Sequence, residues 1–303
     1  ADASSLTVKD STFRNNDMTL QSTSGGPAAV GIAATGVDVS VSGSTFDKNT
    51  VSVAQDGTDG NGIYGAAIGV GSGNLSVTGS SFTDNKAVSK RQTQGSAIYQ
   101  SVGNITVSDS NFTGSSDGGN VTGGAVSLWG TSGTIDNAHF EGNVASVENG
   151  GGNAVYGGAI YTRSGVWGGE ENTQLTVSNS TFTDNSVEGS TDAKGGAIYA
   201  KGDPDSGFSH ALNVENSKFE GNHADTQGGA IYALDVTTTV SGDSSFVGNT
   251  AQNGGAIYND KGDLSVGEGA VFKDNVSTAQ NYGGGAIYNN GGDVTIGNGV
   301  QFV

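Results

Sequence analysis

One short unit repeats along the whole chain and leaves little choice of fold. In its plainest form it reads Gly254-Gly255-Ala256-Ile257-Tyr258, then Leu264-Ser265-Val266, then Phe272-Lys273-Asp274-Asn275. The Gly/Ala anchor recurs at Ala67, Ala97, Ala125, Ala159, Ala197, Ala230, Ala256 and Ala286, each followed by Ile except Ala125, which is followed by Val126. Phe-x-x-Asn recurs at Phe13, Phe46, Phe82, Phe140, Phe182, Phe219, Phe246 and Phe272; Phe112 keeps the register but ends in Ser115, and Phe302 is cut off by the terminus. Successive Phe anchors lie between 26 residues (Phe246 to Phe272) and 42 residues (Phe140 to Phe182) apart. Self-similarity at such a period marks a solenoid, in which each unit buries its apolar face only against its neighbours.

Between the anchors sits a short alternating segment: Leu6-Thr7-Val8, Leu75-Ser76-Val77, Ile105-Thr106-Val107, Leu175-Thr176-Val177, Leu212-Asn213-Val214, Leu264-Ser265-Val266 and Val294-Thr295-Ile296. Period-2 alternation puts both aliphatic residues on one face and the hydroxyl on the other. With Gly/Asn/Asp/Ser turns and no helical periodicity, the expected fold is all-β, a solenoid of about nine to ten coils with three short strands each. At ~4.8 Å per coil this is a rod roughly 45 Å long. The Phe, the Leu/Val pair and the anchor Ile are expected to stack as interior ladders. The Asn of Phe-x-x-Asn is assigned a left-handed turn and an amide ladder to the next coil, and the Gly pair a second turn with positive φ.

The repeat runs through the chain without a linker, so residues 1–303 read as a single domain. Both ends fall in mid-unit, and the expectation is a fragment of a longer repeat protein. Near the start, Gly26-Pro27-Ala28-Ala29 stands where the Gly/Ala anchor is due. Fifty-three Gly against two Pro would suggest disorder without a period; here the apolar residues recur at fixed places. A formal charge of -18, from 12 basic and 30 acidic residues, argues against nucleic acid or an anionic membrane as partner. The absence of Cys excludes disulfides and thiolate metal sites.

Departures from the period mark where the chain does more than stack. From Ala to the next Phe is 15 or 16 residues in most units, but 23 from Ala159 to Phe182 and 22 from Ala197 to Phe219. Two neighbouring coils therefore carry insertions at one corner, Gly165 to Thr173 and Lys201 to His210. Trp129, Trp167 and Phe208 bring three large apolar side chains to that corner in successive coils, with Glu170, Glu171, Asp203 and Asp205 as an acidic rim. Such a patch is either a small core under a loop or an exposed binding surface, and these seven residues are the candidate binding site.

Catalysis is not expected. Of the three His, His139 and His223 read as surface residues, and only His210 lies near a candidate site, with no nucleophile and base to accompany it. Asp56-Gly57-Thr58-Asp59-Gly60-Asn61 looks like a calcium loop but lacks a closing Glu, so a Gly/Asp turn explains it. No cofactor and no metal site follow.

The alternation of Gly-Gly-Ala-Ile with Phe-x-x-Asn resembles the passenger domains of the chlamydial polymorphic membrane proteins, a family of bacterial autotransporter adhesins. It is clearest in Gly157-Gly158-Ala159-Ile160 with Phe182 and Asn185, Gly195-Gly196-Ala197-Ile198 with Phe219 and Asn222, and Gly228-Gly229-Ala230-Ile231 with Phe246 and Asn249. Gly254-Gly255-Ala256-Ile257 with Phe272 and Asn275 completes that series. The resemblance implies a right-handed parallel β-helix, displayed on or secreted from a Gram-negative bacterium and held at the outer membrane through a translocator domain. It implies multivalent attachment to a host cell-surface protein or glycan, and an adhesive role for the two motifs beside their structural one. A self-associating module for aggregation and a glycan-active enzyme on the same scaffold are the alternatives.

Overall fold

A computed structural model of the chain describes residues 4–20, 28–53, 62–147, 154–165, 172–280 and 283–303. The chain winds as a parallel β-helix in which each repeat is one coil. Among the described residues, ten strands from Thr12–Arg14 to Gln301–Phe302 make one sheet, each centred on an anchor Phe. A second sheet follows the Asn turn, and a third, of seventeen strands, holds both the Ile-Tyr and the Leu-x-Val segments. The three strands expected per coil therefore become three sheets with more than three strands. The Ile-Tyr and Leu-x-Val segments lie side by side, and in Ile98–Ser108 and Val126–Asp136 they run on as single strands of 11 residues. The insertions interrupt this sheet, parting Ile160–Arg163 from Thr173–Ser178 and Ile198–Lys201 from His210–Glu215.

Register matches like with like. Phe182 pairs with Phe219, Ile198 with Ile231 and Val177 with Val214, all in parallel. Because successive side chains alternate across the sheet, the anchor Ile and the Leu/Val pair fall on the inner face as expected and are buried with the Phe in one continuous core. The Phe rings stack without interruption from Phe13 to Phe302, at centroid separations of 4.6 to 5.1 Å and interplanar angles of 0 to 12°. Each fully buried Phe contributes on the order of 1.5–3 kcal/mol of transfer free energy.

The turns rest on polar ladders. Asn222 Nδ2 donates to Asn249 Oδ1 (2.9 Å) and to the Phe182 carbonyl (2.9 Å), and Asn222 N–H donates to the same Oδ1 (3.0 Å). The same set of three bonds recurs at Asn49, Asn143, Asn185 and Asn249. The left-handed conformation, however, belongs to the residue before the Asn. Asn15, Lys48, Asp84, Gly114, Gly142, Asp184, Gly221, Gly248 and Asp274 have φ of 50 to 64°. The Asn itself must turn its amide inward along the stack, so the residue beside it takes the reversal.

The Gly pair divides its work in a similar way. Gly157, Gly195, Gly228 and Gly254 have positive φ, but the second Gly is required by space: a Cβ on Gly158 would lie 2.2 Å from the Gly196 carbonyl oxygen of the next coil. Near the start, Ile32 pairs with Ile68 and Val30 N–H donates to the Ala66 carbonyl. The degenerate anchor is therefore Ala29-Val30-Gly31-Ile32, three residues after the stretch expected from the sequence; Gly26 and Pro27 lie outside the described residues.

Candidate functional site

On the outer face of the large sheet, the residue after each anchor Ile forms a second column. Register aligns Tyr99, Ser127, Tyr161, Tyr199, Tyr232, Tyr258 and Tyr288. From Tyr161 to Tyr288 the rings stack at 4.9 to 5.3 Å. Tyr161, Tyr199, Tyr232 and Tyr258 are nearly buried although they point away from the core, and over Tyr199 and Tyr232 the chain bends back at the Gly turn so that the residue just before that turn leans over the tyrosine of the next coil. Tyr156 lies on Tyr199 at 4.4 Å, and Lys194 Nζ sits 5.0 Å from the Tyr232 ring centroid. Lys194 also pairs with Asp192 at 2.7 Å, and the Tyr156 hydroxyl donates to Asp192. The Tyr232 hydroxyl donates to Asp260 at 2.8 Å. Burial pushes the Tyr161 phenol up to about 12 and Tyr232 well above the ordinary tyrosine range, the latter helped by Asp260. These phenols remain protonated at neutral pH and serve as stacking and donor groups.

The corner expected from the insertions lies at one edge of this column. Trp129, Arg163 and Lys201 occupy equivalent positions in successive coils. The Arg163 guanidinium lies over the Trp129 indole, 4.9 Å from its centroid, and reaches Asp203 at 3.5 Å. Cation–π contacts at partly exposed positions are worth about 0.5–1 kcal/mol. The second insertion closes on itself: Asp203 and Phe208 exchange backbone hydrogen bonds of 3.3 and 3.1 Å around a single 3-10 turn, Pro204–Ser206, that ends in left-handed Gly207. Phe208 is half-buried and Asp205 exposed. Trp129, Asp203, Asp205 and Phe208 thus share one corner, with Asp203 facing Arg163 rather than standing free in an acidic rim. Trp167, Glu170 and Glu171 lie outside the described residues, as does the stretch Asp56 to Asn61.

His210 differs from its expected position near that site. It is a strand residue on the inner face, 1% exposed, paired in register with Thr173 and Val236. Its Nδ1 lies 2.7 Å from Thr173 Oγ1 and its Nε2 3.1 Å from Thr162 Oγ1. Burial pulls its pKa down to about 4, so it is neutral and structural. The insertions accordingly stop short of Thr173 and His210, which return to the sheet. His139 is exposed beside Thr181, and His223 is partly exposed against Thr250 and Asp225. Among the described residues no group of three or more His, Asp or Glu side chains could hold a metal ion.

The anchor motifs face inward. The Gly-Gly-Ala-Ile residues from Gly157 to Ile257, Phe182, Phe219, Phe246 and Phe272, and Asn185, Asn222 and Asn249 are buried, and Asn275 is half-buried. What the sequence reading missed was outside them: Arg163, Lys194 and the tyrosine column. The signal was present, because Tyr follows Ala-Ile in six of the units.

Fold and ladders together define a class, the parallel β-helix repeat proteins. Within it, residues 179–201, 216–234 and 243–260 match the model of the Chlamydia polymorphic membrane protein repeat. Each matched stretch includes buried ladder residues of the kind described above. Over 163 residues the chain is 33% identical to the probable outer membrane protein PmpG of Chlamydia muridarum (strain MoPn / Nigg), which covers 49% of this chain and 16% of that protein. The chain thus spans under a fifth of the length of the curated relative it matches. No solved structure matches it.

Proposed function

We propose that the chain is the displayed rod of a bacterial outer-membrane adhesin, an autotransporter passenger whose repeats hold variable outer loops in a fixed array. The observation that carries this reading is a contrast in one molecule. The interior repeats the same ladders coil after coil, whereas the corner at Trp129, Arg163 and Asp203 to Phe208 changes residue and loop length from coil to coil. Loops positioned by a rigid scaffold are where binding residues concentrate. The likeness to a protein named as an outer membrane protein supports the location, and many weak contacts along one rod add through effective concentration. The partner is a protein or glycan on a host cell surface, and attachment requires no chemistry on it.

Beads coated with the purified chain are expected to attach to cultured epithelial cells and to be displaced by the soluble chain. Trp167→Ala with Phe208→Ala is expected to reduce attachment at least tenfold, about 1.4 kcal/mol or more, while the melting temperature stays nearly unchanged. Aromatic anchors carry a disproportionate share of interface energy. Attachment that survives the double substitution but disappears when the regular coils from Gly228 onward are deleted assigns adhesion to the repeats instead. Beads that adhere only to one another favour self-association.

A further inference from the structure

An open groove of about 460 Å³ lies on the outer face of the large sheet, across four successive coils and between two columns of short polar side chains. One wall is the alternating hydroxyl of the Leu-x-Val segment: Thr7, Ser40, Ser76 and Thr106 fall in register on successive strands. The other wall stands two residues back along each strand, about 6.6 Å away, and is a ladder of its own. Asn104 N–H and Nδ2 donate to Asn74 Oδ1 (3.0 and 3.3 Å), and Asn74 N–H and Nδ2 donate to Asp38 Oδ1 (2.8 and 3.1 Å). That ladder fixes one wall, whereas the four hydroxyls opposite have no protein partner among the described residues. The groove stays open because the side chains of both walls are short. Two coils beyond Thr106, Gln174 stands in the Asn column, and its Nε2 reaches across to Thr176 Oγ1 at 3.4 Å and spans the same gap.

We propose that this groove binds a neutral linear glycan, laid along the rod axis with one sugar residue per coil. Spacing and charge select the class. The rungs repeat every ~4.8 Å, close to the advance of one residue in an extended β-1,4-linked chain, so each sugar meets a new hydroxyl on one side and a new Asn or Asp side chain on the other. An extended peptide presents same-face side chains every ~6.6 Å, out of step with the coils. It also finds no open strand edge in the groove, because the strands of Val39 and Leu75 are paired on both sides. Asp38 is the charged side chain of the lining, and no cation joins it among the described residues; in a chain of charge -18 a polymer of carboxylates or sulfates is repelled. A hydroxyl both donates and accepts, so sugar hydroxyls can pair with the unbonded Ser and Thr wall in either sense. The inference uses none of the corner residues and does not rest on the adhesive reading, and the purified chain tests it without cells.

The chain is titrated with cellotetraose and chitotetraose, with maltotetraose, whose α-1,4 links coil the chain, and with tetragalacturonic acid; binding is read by calorimetry and saturation-transfer NMR. At least one of the two β-1,4-linked neutral tetrasaccharides is expected to bind saturably, in the millimolar range or tighter, and more strongly than maltotetraose. Ser40→Gln with Ser76→Gln lays in the groove the side chain that Gln174 carries further along. This double substitution is expected to weaken binding at least tenfold, with circular dichroism and melting temperature unchanged. Thr239→Gln, in the same column but outside the groove, is expected to leave binding as it was. The proposal is overturned if neither β-1,4-linked tetrasaccharide binds, if maltotetraose or tetragalacturonic acid binds as tightly, if binding survives the double substitution, or if Thr239→Gln weakens it equally.

Discussion

The Phe column inside the rod and the Tyr column on its outer face come from the same repeat, one position per coil in each. Inside, the column never breaks, and its rings stay within 12° of parallel. Outside, Tyr gives way to Ser127, the tilt reaches 24° between Tyr258 and Tyr288, and neighbours as unlike as Tyr156 and Lys194 cover the rings. The difference follows from enclosure. An interior packed to crystal density admits neither a gap nor a surplus methylene without cost, while the outer column is closed on one side only, so a loop residue from the preceding coil can make up what a substitution removes. Architecture is therefore uniform, and the sequence variation that a binding surface needs accumulates outside.

The largest expected effect tests that contrast directly. Phe182→Ala removes a fully buried ring stacked on both sides and should lower stability by about 3–5 kcal/mol, the range for large-to-small core changes. Tyr258→Ala, on the outer column, should cost clearly less. Equal losses for the two in urea unfolding would show that the columns are equivalent and that enclosure does not decide.

Next comes the one His buried inside the rod. His210 is held near pKa 4 by desolvation, against an ordinary value of 6.5. The unfolded chain therefore binds a proton that the folded chain refuses, and stability is full above pH about 6.5 and falls as the pH drops towards 4. The loss is roughly 3 kcal/mol at its limit, since a tenfold change in proton affinity between the two states corresponds to about 1.4 kcal/mol. The parent is compared with His210→Gln at pH 7 and pH 4.5, so that titrating carboxylates common to both cancel. An identical pH dependence in the two proteins would contradict the buried, neutral assignment.

Much of the inner architecture was legible because its ladders use one residue type at each place. Phe, Ile and the Leu/Val pair could be read from spacing alone. The left-handed turn was assigned one residue too late, since the position that holds it is Asn, Lys, Asp or Gly in different coils and shows no common letter. A hydroxyl ladder was readable but unread: Ser two residues before Phe recurs at Ser44, Ser80, Ser110, Ser180, Ser217 and Ser244. Its hydroxyls accept from the backbone N–H of the preceding coil, as Ser217 Oγ does from Ser180 N at 3.1 Å. His210 could not be located from the sequence, because its inward direction depends on where the insertion rejoins the sheet. The corner was legible as extra length, but the pairing of Arg163 with Trp129 and Asp203 depends on three coils being in register.

A smaller effect is expected at the Asn ladder. Asn249→Ala removes the donor to the Phe219 carbonyl and the acceptor for both Asn222 bonds. Stability should fall by roughly 1 to 2 kcal/mol, the scale for buried groups left unbonded. A variant that keeps full stability but loses cell attachment would move the motif from architecture to binding.

The smallest effect runs in the opposite direction and uses a break that the chain already contains. At Ser115 the ladder lacks its amide, and the Ser115 hydroxyl is buried without a partner, although Ser115 N–H still donates to Asn143 Oδ1 at 3.1 Å. The surrounding coils keep the usual spacing, with Phe82, Phe112 and Phe140 stacked at 4.8 and 4.6 Å, so room for an asparagine depends on the same geometry that accommodates Asn85 and Asn143. Ser115→Asn would place an Nδ2 to donate to the Phe82 carbonyl and to Asn143 Oδ1, and an Oδ1 to accept from Asn85. Replacing an unsatisfied hydroxyl by a fully bonded amide should raise stability by about 1 kcal/mol, measured as a higher urea midpoint with an unchanged slope. A loss instead would mean that the Ser115 turn has closed around its smaller side chain. In that case the inner ladders, like the outer column, would adjust to local breaks, and the contrast between the two faces would be one of degree.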